Sequence, residues 1–270
     1  MLKAQYDHRG PVPQEVIRAV PLELPSPEAG QALVAMVASP INPSNLLTLT
    51  GEYGVLPPLP AIGGSEGVGR VVALGGGGIE GLSVGQLVLL PRGSGTWVTH
   101  LLADARALVP LPEGADPLQL AMLTVNPPTA ALMLSEFVSL APGEWVIQNA
   151  ANSGVGSYLM QLARHRGLRT VSLVRRASAI QSTKTQGGDV VLVDGEDIAG
   201  RVREATAGAA IRLGIDAIGG AATDRLAQCL ADDGTLHARV HATYPVAQIQ
   251  QAVAAAGAAE RDGKILVTGV

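Results

Sequence analysis

The chain has 270 residues, of which 47% are hydrophobic and only 16% charged, and this composition excludes a disordered protein. At about 150 residues per domain, the length predicts roughly two domains. The 19 Lys and Arg residues against 23 Asp and Glu residues give a net charge of −4, and no basic cluster is present, so we expect no nucleic-acid partner.

The single cysteine, Cys229, can form neither an internal disulfide nor a thiolate zinc site, which fits a reducing compartment. The N-terminal segment shows no signal or transit peptide pattern. No stretch approaches the roughly 18 uninterrupted apolar residues of a membrane span. We therefore expect a soluble, cytoplasmic protein without a membrane partner.

Residues 1 to about 112 contain short apolar runs broken by glycine and proline, a spacing that predicts a mainly antiparallel β unit with barrel-like closure. Four glycines, Gly75 to Gly78, follow one of these runs and precede no helix, so we interpret them as a strand connection and not as a phosphate loop. The predicted strands are EVIRAV, ALVAMVAS, EGVGRVVAL, QLVLL, TWVTHLLA and ALVPL.

From about residue 115, apolar strands alternate with amphipathic helices, which indicates parallel βαβ units. Pro127 and Pro128 separate the first two predicted helices, DPLQLAML and PTAALMLSEFVSL. The later strands are WVIQ, TVSLV, VVLV and LGIDAI, separated by the helices GVGSYLMQLARHRG, IAGRVREATAG and AATDRLAQCLADDG. A last helix, PVAQIQQAVAAAG, and a strand, KILVTG, follow.

The turn after the strand WVIQ predicts a nucleotide site, because a buried strand runs there through small residues into an amphipathic helix. Small side chains let backbone N–H groups approach a pyrophosphate, and a helix N-terminus offers donors and partial positive charge. Ala150 and Ser153 stand where glycines are commoner, so an ordinary strand-to-helix turn is the alternative. The candidate phosphate-binding residues are Asn152, Ser153, Gly154, Val155 and Gly156.

Arg175 and Arg176 end the next predicted strand, about 20 residues beyond the turn, where an NAD site would carry an acidic residue. Guanidinium groups suit a 2′-phosphate, which a carboxylate would repel. A pair of solvated arginines at a strand end is the alternative interpretation. The sequence thus favours NADPH as the cofactor.

Several strings resemble the zinc-independent medium-chain dehydrogenase/reductases, above all the NADPH-dependent 2-enoyl thioester reductases of the mitochondrial enoyl-reductase type. They are INPSN (41–45), GEYGVLPPLPAIGGSEGVGRVVALG (51–75), GTWVTH (95–100), LTVNPPTA (123–130), VIQNAANSGVG (146–156) and LRTVSLVRR (168–176), with further similarity in ATYPVAQIQQAV and GKILV. Quinone oxidoreductases of the same superfamily are the second choice.

The resemblance implies an α/β fold: a GroES-like, mainly antiparallel β domain (1–118 and 240–270) and a Rossmann domain with a doubly wound parallel sheet (119–239). It implies reduction of the C=C bond of trans-2-enoyl thioesters, with hydride to the β-carbon and a proton to the α-carbon. The substrate would be a small molecule, an enoyl-CoA or enoyl-ACP, or alternatively a quinone.

The resemblance places Tyr53 as the catalytic residue that donates a proton or hydrogen bond as enolate charge develops. A phenol is protonated at neutral pH and fit for this role, although a loop tyrosine packed by its ring is the alternative. The resemblance also places Asn42 and Asn126 near the nicotinamide and Thr129 at the helix entry that follows, all three as cofactor-binding residues. It places Lys264 near the cofactor, a solvated lysine being the alternative.

A metal site is not expected. Zinc relatives carry a cysteine and a His–Glu pair near the positions of Asn45, Ser65 and Glu66, and this chain lacks the thiol and the imidazole. Glu66 is interpreted as a structural carboxylate. The hydrolase-like string GGSEG (63–67) is followed by a strand, whereas a nucleophile elbow needs a helix there.

After Thr235 the chain lacks several dozen residues of the related enzymes, so we expect a shortened Rossmann domain, either naturally shortened or missing a segment of its parent protein. The missing part carries nicotinamide-side contacts and a strand that pairs two sheets into a homodimer, which puts the homodimer in question. A third hypothesis, of another class, is therefore a non-catalytic NADPH-binding protein.

Overall fold

The computed structural model describes residues 1–76, 81–231, 240–257 and 264–268. The chain forms two compact units, Met1–Thr129 and Ala130–Val270. The observed division thus lies about ten residues beyond the predicted boundary at 118, and residues 240–270 are grouped with the second unit. The domain assignment of that segment stays a prediction, because its principal contacts are within itself.

The first unit is built from two antiparallel sheets, which confirms the predicted antiparallel β unit, while barrel-like closure stays a prediction. One sheet has the strand order β7-β3-β5-β6-β8 and the other has the order β2-β1-β4. The strands are β1 (Leu2–Tyr6), β2 (Ile17–Pro21), β3 (Gln31–Ala38), β4 (Ala61–Ile62), β5 (Val68–Leu74), β6 (Leu87–Leu89), β7 (His100–Asp104) and β8 (Val109–Pro110). The helices are α1 (Pro13–Val16), α2 (Pro43–Thr50), α3 (Pro117–Leu120) and α4 (Asn126–Met133), the last crossing the division.

Side-chain burial alternates along the first half of β3, as expected for a strand that packs one face on a core. Ala32 and Val34 are fully buried, and Val34 pairs with Val71 on β5 and with Leu101 on β7. Successive side chains of a strand point to opposite faces, so this register places the apolar residues in one core.

The second unit contains a parallel sheet in the order β11-β10-β9-β12, with helices packed on both faces, which confirms the doubly wound α/β fold. Trp145 and Ile147 of β9 pack on one face, while Val146 packs on the other. The elements are β9 (Trp145–Gln148), α5 (Gly154–His165), β10 (Arg169–Val174), α6 (Ile180–Thr185), β11 (Val190–Val193), α7 (Ile198–Ala205), β12 (Ile211–Ile215) and α8 (Ala221–Ala231).

This strand order creates a crevice at the carboxyl ends of β9 and β12. The chain proceeds from β9 to β10 and β11 on one side and then crosses to β12 on the other side. Open α/β sheets bind ligands at such a switch point.

The remaining elements are β13 (Val240–Pro245), α9 (Ile249–Gly257) and β14 (Lys264–Thr268). β13 and β14 form a parallel pair against which α9 packs. The predicted shortening after Thr235 falls on residues 232–239, outside the described part of the chain. Across the described ranges, no helix combines the length and apolar character required to cross a membrane.

Several predicted elements differ from the observed ones. The predicted helix PTAALMLSEFVSL ends early, at Met133, and the predicted strand TWVTHLLA is regular only from His100. Helix α2 was not predicted, although Pro43 in its first turn and Gly51 at its end, with φ of +90°, are ordinary boundary signals.

Candidate functional site

The turn between β9 and α5 holds an unusual backbone conformation. Ala150 has φ of +46°, in the left-handed region that disfavours a side chain. The turn closes with a hydrogen bond from the Ser153 N–H to the Ala150 carbonyl oxygen (2.8 Å), and the Ala151 N–H donates to Leu173 on β10 (3.1 Å). The chain therefore adopts at Ala150 a conformation for which glycine is the usual residue.

Ser153 caps α5, since its Oγ accepts a hydrogen bond from the Gly156 N–H at 3.1 Å. A Cβ added at Gly156 would lie 2.6 Å from the Ala151 carbonyl oxygen, so helix and turn approach too closely for any other residue. Asn152 and Gly154 are exposed beside this helix N-terminus, whereas Val155 packs into the core. The predicted phosphate-binding group thus divides into surface residues and packing residues.

Gln148 at the end of β9 braces the turn and was not predicted. Its side chain is buried, and its Nε2 donates to the Gly156 carbonyl oxygen (3.2 Å) and to the Ser172 Oγ on β10 (3.3 Å). A buried polar group needs such partners, and these join β9, α5 and β10.

A cavity of about 340 Å³ opens beside the turn, at the carboxyl ends of β10 and β11. Arg175 and Arg176 follow β10 directly, are exposed, and line this cavity together with Asn152. Within the described ranges, neither guanidinium pairs with a carboxylate. The structure therefore brings the predicted turn and the predicted arginine pair to one cavity.

The same cavity is lined by an ion pair that was not predicted. Arg225 on α8 donates through Nε to Asp194 Oδ1 (2.9 Å) and through a second nitrogen to Oδ2 (2.5 Å). The hydrogen bond from Arg225 is the largest effect on the carboxyl of Asp194 and lowers its pKa, although burial opposes this change.

Asp216, directly after β12, links the two strands of the crevice. Asp216 is exposed, and some loss of hydration raises the pKa of its carboxyl, but hydrogen bonds from Asn149, Thr223 and the backbone of Gly219 outweigh this effect and lower the pKa to about 2. Asn149 also accepts from the Ala217 N–H at 2.8 Å. The carboxyl ends of β9 and β12 are thereby tied together.

In the first unit, Tyr53 lies in the turn that follows α2. The N–H groups of Gly51, Glu52 and Tyr53 all donate to the Leu47 carbonyl oxygen, at 3.0, 2.9 and 3.1 Å. The Tyr53 side chain is 42% exposed, so its ring is not packed in the core. This geometry makes the phenol accessible to a ligand, and its catalytic role stays a prediction.

Asn42 is a buried helix cap. It forms a reciprocal capping box with Asn45, whose Oδ1 accepts from the Asn42 N–H at 2.8 Å. Its Nδ2 donates to Glu66 Oε1 at 2.8 Å. The amide is thus held by protein groups, and a contact with the cofactor stays a prediction.

The burial and hydrogen bonds of Glu66 support the expectation that it is a structural carboxylate. Its side chain is fully buried, and its Oε2 accepts from the Thr124 N–H (3.0 Å) and the Thr124 Oγ1 (2.9 Å). Thr124 immediately precedes the segment that leads into α4. Glu66 therefore positions the cap of α2 and the approach to α4 at once.

The other predicted cofactor residues occupy different places. Asn126 begins α4 and is half-buried, while Thr129, one turn later, donates its hydroxyl to the Val125 carbonyl oxygen at 2.6 Å. Lys264 begins β14, but its side chain lies outside what the structure describes. Their roles stay predictions.

Asn45 and Ser65, which the resemblance compares with zinc-ligand positions, are joined by a hydrogen bond from Asn45 Nδ2 to Ser65 Oγ at 3.2 Å. The described residues contain no group of three or more His, Cys, Asp or Glu side chains able to hold a metal ion. Independence from zinc stays a prediction.

A GroES-like β unit joined to a Rossmann-type unit defines a class of two-domain dehydrogenases and reductases. Two families match the chain in that order: "Alcohol dehydrogenase GroES-like domain" over residues 28–113 and "Zinc-binding dehydrogenase" over residues 154–239. The chain belongs to the medium-chain dehydrogenase/reductase superfamily.

Similar curated proteins are mitochondrial enoyl-[acyl-carrier-protein] reductases. The protein of Rattus norvegicus is 39% identical over 230 residues, which cover 83% of this chain and 61% of that protein. The protein of Homo sapiens is 38% identical over 240 residues, covering 86% and 63%. The chain thus spans about three-fifths of the length of these relatives.

Similar solved structures include the complex of Etr1p with NADP and crotonyl-CoA, with a TM-score of 0.75 and 25% identity over 85% of this chain and 72% of that one. A putative NADPH:quinone reductase from Bacillus thuringiensis has the same TM-score and identity and covers 100% and 99%. A mycobacterial protein complexed with NADPH has a TM-score of 0.74 and 28% identity over 99% and 81%.

Proposed function

We propose that this chain binds NADPH and reduces the C=C bond of trans-2-enoyl thioesters. The observation that carries the proposal is the cavity in which the small-residue turn and the two exposed arginines meet. The similarity to enoyl-[acyl-carrier-protein] reductases and to the Etr1p complex with crotonyl-CoA supports the choice of substrate.

The residues of the turn fit a dinucleotide. The exposed N-terminus of α5 offers backbone donors beside Asn152 and Gly154, and the absence of a side chain at Gly156 lets helix and turn pack closely. Arg175 and Arg176 supply permanent positive charge for a 2′-phosphate. NADPH, when bound, supplies a hydride to the β-carbon of the substrate.

Tyr53 is the group on this chain that would complete the reaction. Its phenol donates a proton or hydrogen bond on the thioester side as enolate charge develops, while the α-carbon gains a proton. The 42% exposure of the side chain supports this role, because the hydroxyl must reach a ligand.

The activity is tested by following NADPH oxidation with crotonyl-CoA. We expect turnover by the unaltered chain, and we expect Tyr53→Phe to lower kcat by about 100-fold because a proton donor is removed. The dissociation constant for NADPH is the control and should not change. No turnover under conditions where NADPH binds would leave a non-catalytic NADPH-binding protein as the interpretation.

Cofactor choice is tested by replacing both arginines with alanine. We expect Arg175→Ala with Arg176→Ala to weaken NADPH by about 10- to 100-fold, since charge-assisted hydrogen bonds contribute about 1.5–3 kcal/mol. NADH should change much less. Arg164→Ala, an exposed arginine at the far end of α5, is the matched control. Equal losses for both coenzymes would contradict recognition of the 2′-phosphate.

Quinone reduction is the second candidate. It is favoured by the putative NADPH:quinone reductase that this chain matches over nearly its whole length. Comparing kcat/KM for a quinone with that for crotonyl-CoA separates the two activities, and the larger value identifies the substrate class.

A further inference from the structure

The cavity beside the turn contains one carboxylate among three guanidinium groups. The charged residues that line it are Arg175, Arg176, Arg225 and Asp194. Asp194 follows β11, and its N–H donates to the Val174 carbonyl oxygen at 2.9 Å, which fixes it beside the residue that precedes Arg175. A carboxylate in this place would oppose a bound phosphate, because like charges repel.

Arg225, which lines the same cavity, pairs with that carboxylate. It binds both oxygens of Asp194 in a forked arrangement, with side chains 26% and 13% exposed for Arg225 and Asp194. A bidentate pair of low exposure holds its geometry better than a surface pair. Glu196 and Asp224 act on Arg225 through space, but within the described ranges only Asp194 forms an ion pair with it.

We propose that Arg225 is a positioning residue for coenzyme selection: by pairing with both oxygens of Asp194, it neutralises a carboxylate that would otherwise repel the 2′-phosphate. The inference rests on the proposed function, since it concerns the same NADPH site. It adds a second requirement for selectivity. The arginine pair attracts the phosphate, and the Asp194–Arg225 pair removes the charge that would repel it.

The test compares dissociation constants for NADPH and NADH, measured by calorimetry on the full chain. Arg225→Met keeps most of the aliphatic length and frees the carboxylate, so NADPH should weaken about tenfold, equivalent to about 1.4 kcal/mol, while NADH stays within about twofold. Adding Asp194→Asn to Arg225→Met should restore the original ratio, because the repelling charge is gone.

Two results would overturn the proposal. The first is an unchanged ratio of NADPH to NADH affinity in Arg225→Met. The second is a loss that persists in the double variant, which would mean that Arg225 contacts the coenzyme directly. If circular dichroism shows that Arg225→Met is unfolded, Asp194→Asn alone decides: it should raise the preference for NADPH at least twofold, and an unchanged or lower preference refutes the idea.

Failure of the proposed function is distinguishable from failure of this inference. If the unaltered, folded chain binds neither coenzyme, both the proposed function and the role of Arg225 are refuted. If the unaltered chain prefers NADPH and the variants leave that preference unchanged, only the role of Arg225 is refuted.

Discussion

The buried carboxylate of Glu66 holds the amide of Asn42, with Asn42 Nδ2 donating to Glu66 Oε1 at 2.8 Å. The second oxygen of the same carboxylate accepts two hydrogen bonds from Thr124. One side chain therefore fixes the cap of α2, which precedes Tyr53, and the segment that leads to Asn126. Two of the predicted site residues of the first unit therefore depend on the same buried carboxylate.

Glu66→Gln is expected to destabilise the first unit. Whichever way the amide is oriented, its NH2 group faces either the Asn42 amide or the Thr124 donors, so at least one hydrogen bond becomes a clash of donors. A loss of about 2–3 kcal/mol follows for hydrogen bonds to a charged group. Denaturant unfolding measures it. The exposed Glu113→Gln is the control, and equal midpoints for the two variants would contradict the structural role of Glu66.

Gly156→Ala and Gly200→Ala form a matched pair. At Gly156 the new Cβ would lie 2.6 Å from a backbone oxygen, whereas at Gly200, inside α7, nothing lies within 4 Å. We expect the first change to lower the melting temperature and weaken coenzyme binding. The second should stabilise the protein by up to about 1 kcal/mol, because alanine favours a helix. Similar melting temperatures for the two variants would refute the close approach at Gly156.

Ala150→Gly is expected to stabilise the protein. The left-handed conformation costs L-alanine roughly 1–2 kcal/mol, and glycine removes this cost. Part of the gain in stability is lost, because glycine also gives the unfolded chain more conformational freedom. A net gain of about 0.5–1 kcal/mol follows and appears as a higher melting temperature. Ala207, with φ of +54° in the turn after α7, is the matched position, and Ala207→Gly should show a similar gain. A lower melting temperature for both would contradict strain at these residues.

Asp216 predicts an acid-sensitive contribution to stability. Its pKa is about 2 in the folded protein, below the ordinary value of 3.8, so the unfolded chain binds more protons between these limits. The stabilisation is present above pH 4 and is lost as the pH falls toward 2. Asp216→Asn should flatten the pH dependence of unfolding in this window. The exposed Glu204→Gln is the control, and identical curves for Asp216→Asn and the unaltered chain would contradict the prediction.

Local patterns predicted the strands of the second unit and most of its helices, although α6 (Ile180–Thr185) was not predicted. Its strands are short runs of Val, Ile and Leu, and its helices have clear apolar faces, so strands such as WVIQ and TVSLV are found where they were predicted. The strands of the first unit were harder to predict from the sequence. β1 alternates apolar and polar residues over only five positions and was not predicted, and β4, with two residues, is too short to show a periodicity.

The candidate site could be predicted only where its functional residues lie close together in the sequence. The turn and the arginine pair each occupy a few consecutive residues and were recognised. Asp194 and Arg225 are 31 positions apart, and Glu66 and Thr124 are 58 apart, so only the folded chain brings them together. The capping box at Asn42 and Asn45 carried a local signal that could have predicted α2, since a polar cap preceded Pro43.

Under the proposed recognition of the 2′-phosphate, the exposure of Arg175 and Arg176 makes the choice of coenzyme sensitive to salt. Charges in contact with water are screened over about 30 Å at 0.01 M ionic strength but over about 8 Å at 0.15 M. Discrimination between NADPH and NADH should therefore shrink as salt is added. Measurements in dilute buffer would overstate the selectivity that the protein has in a cell.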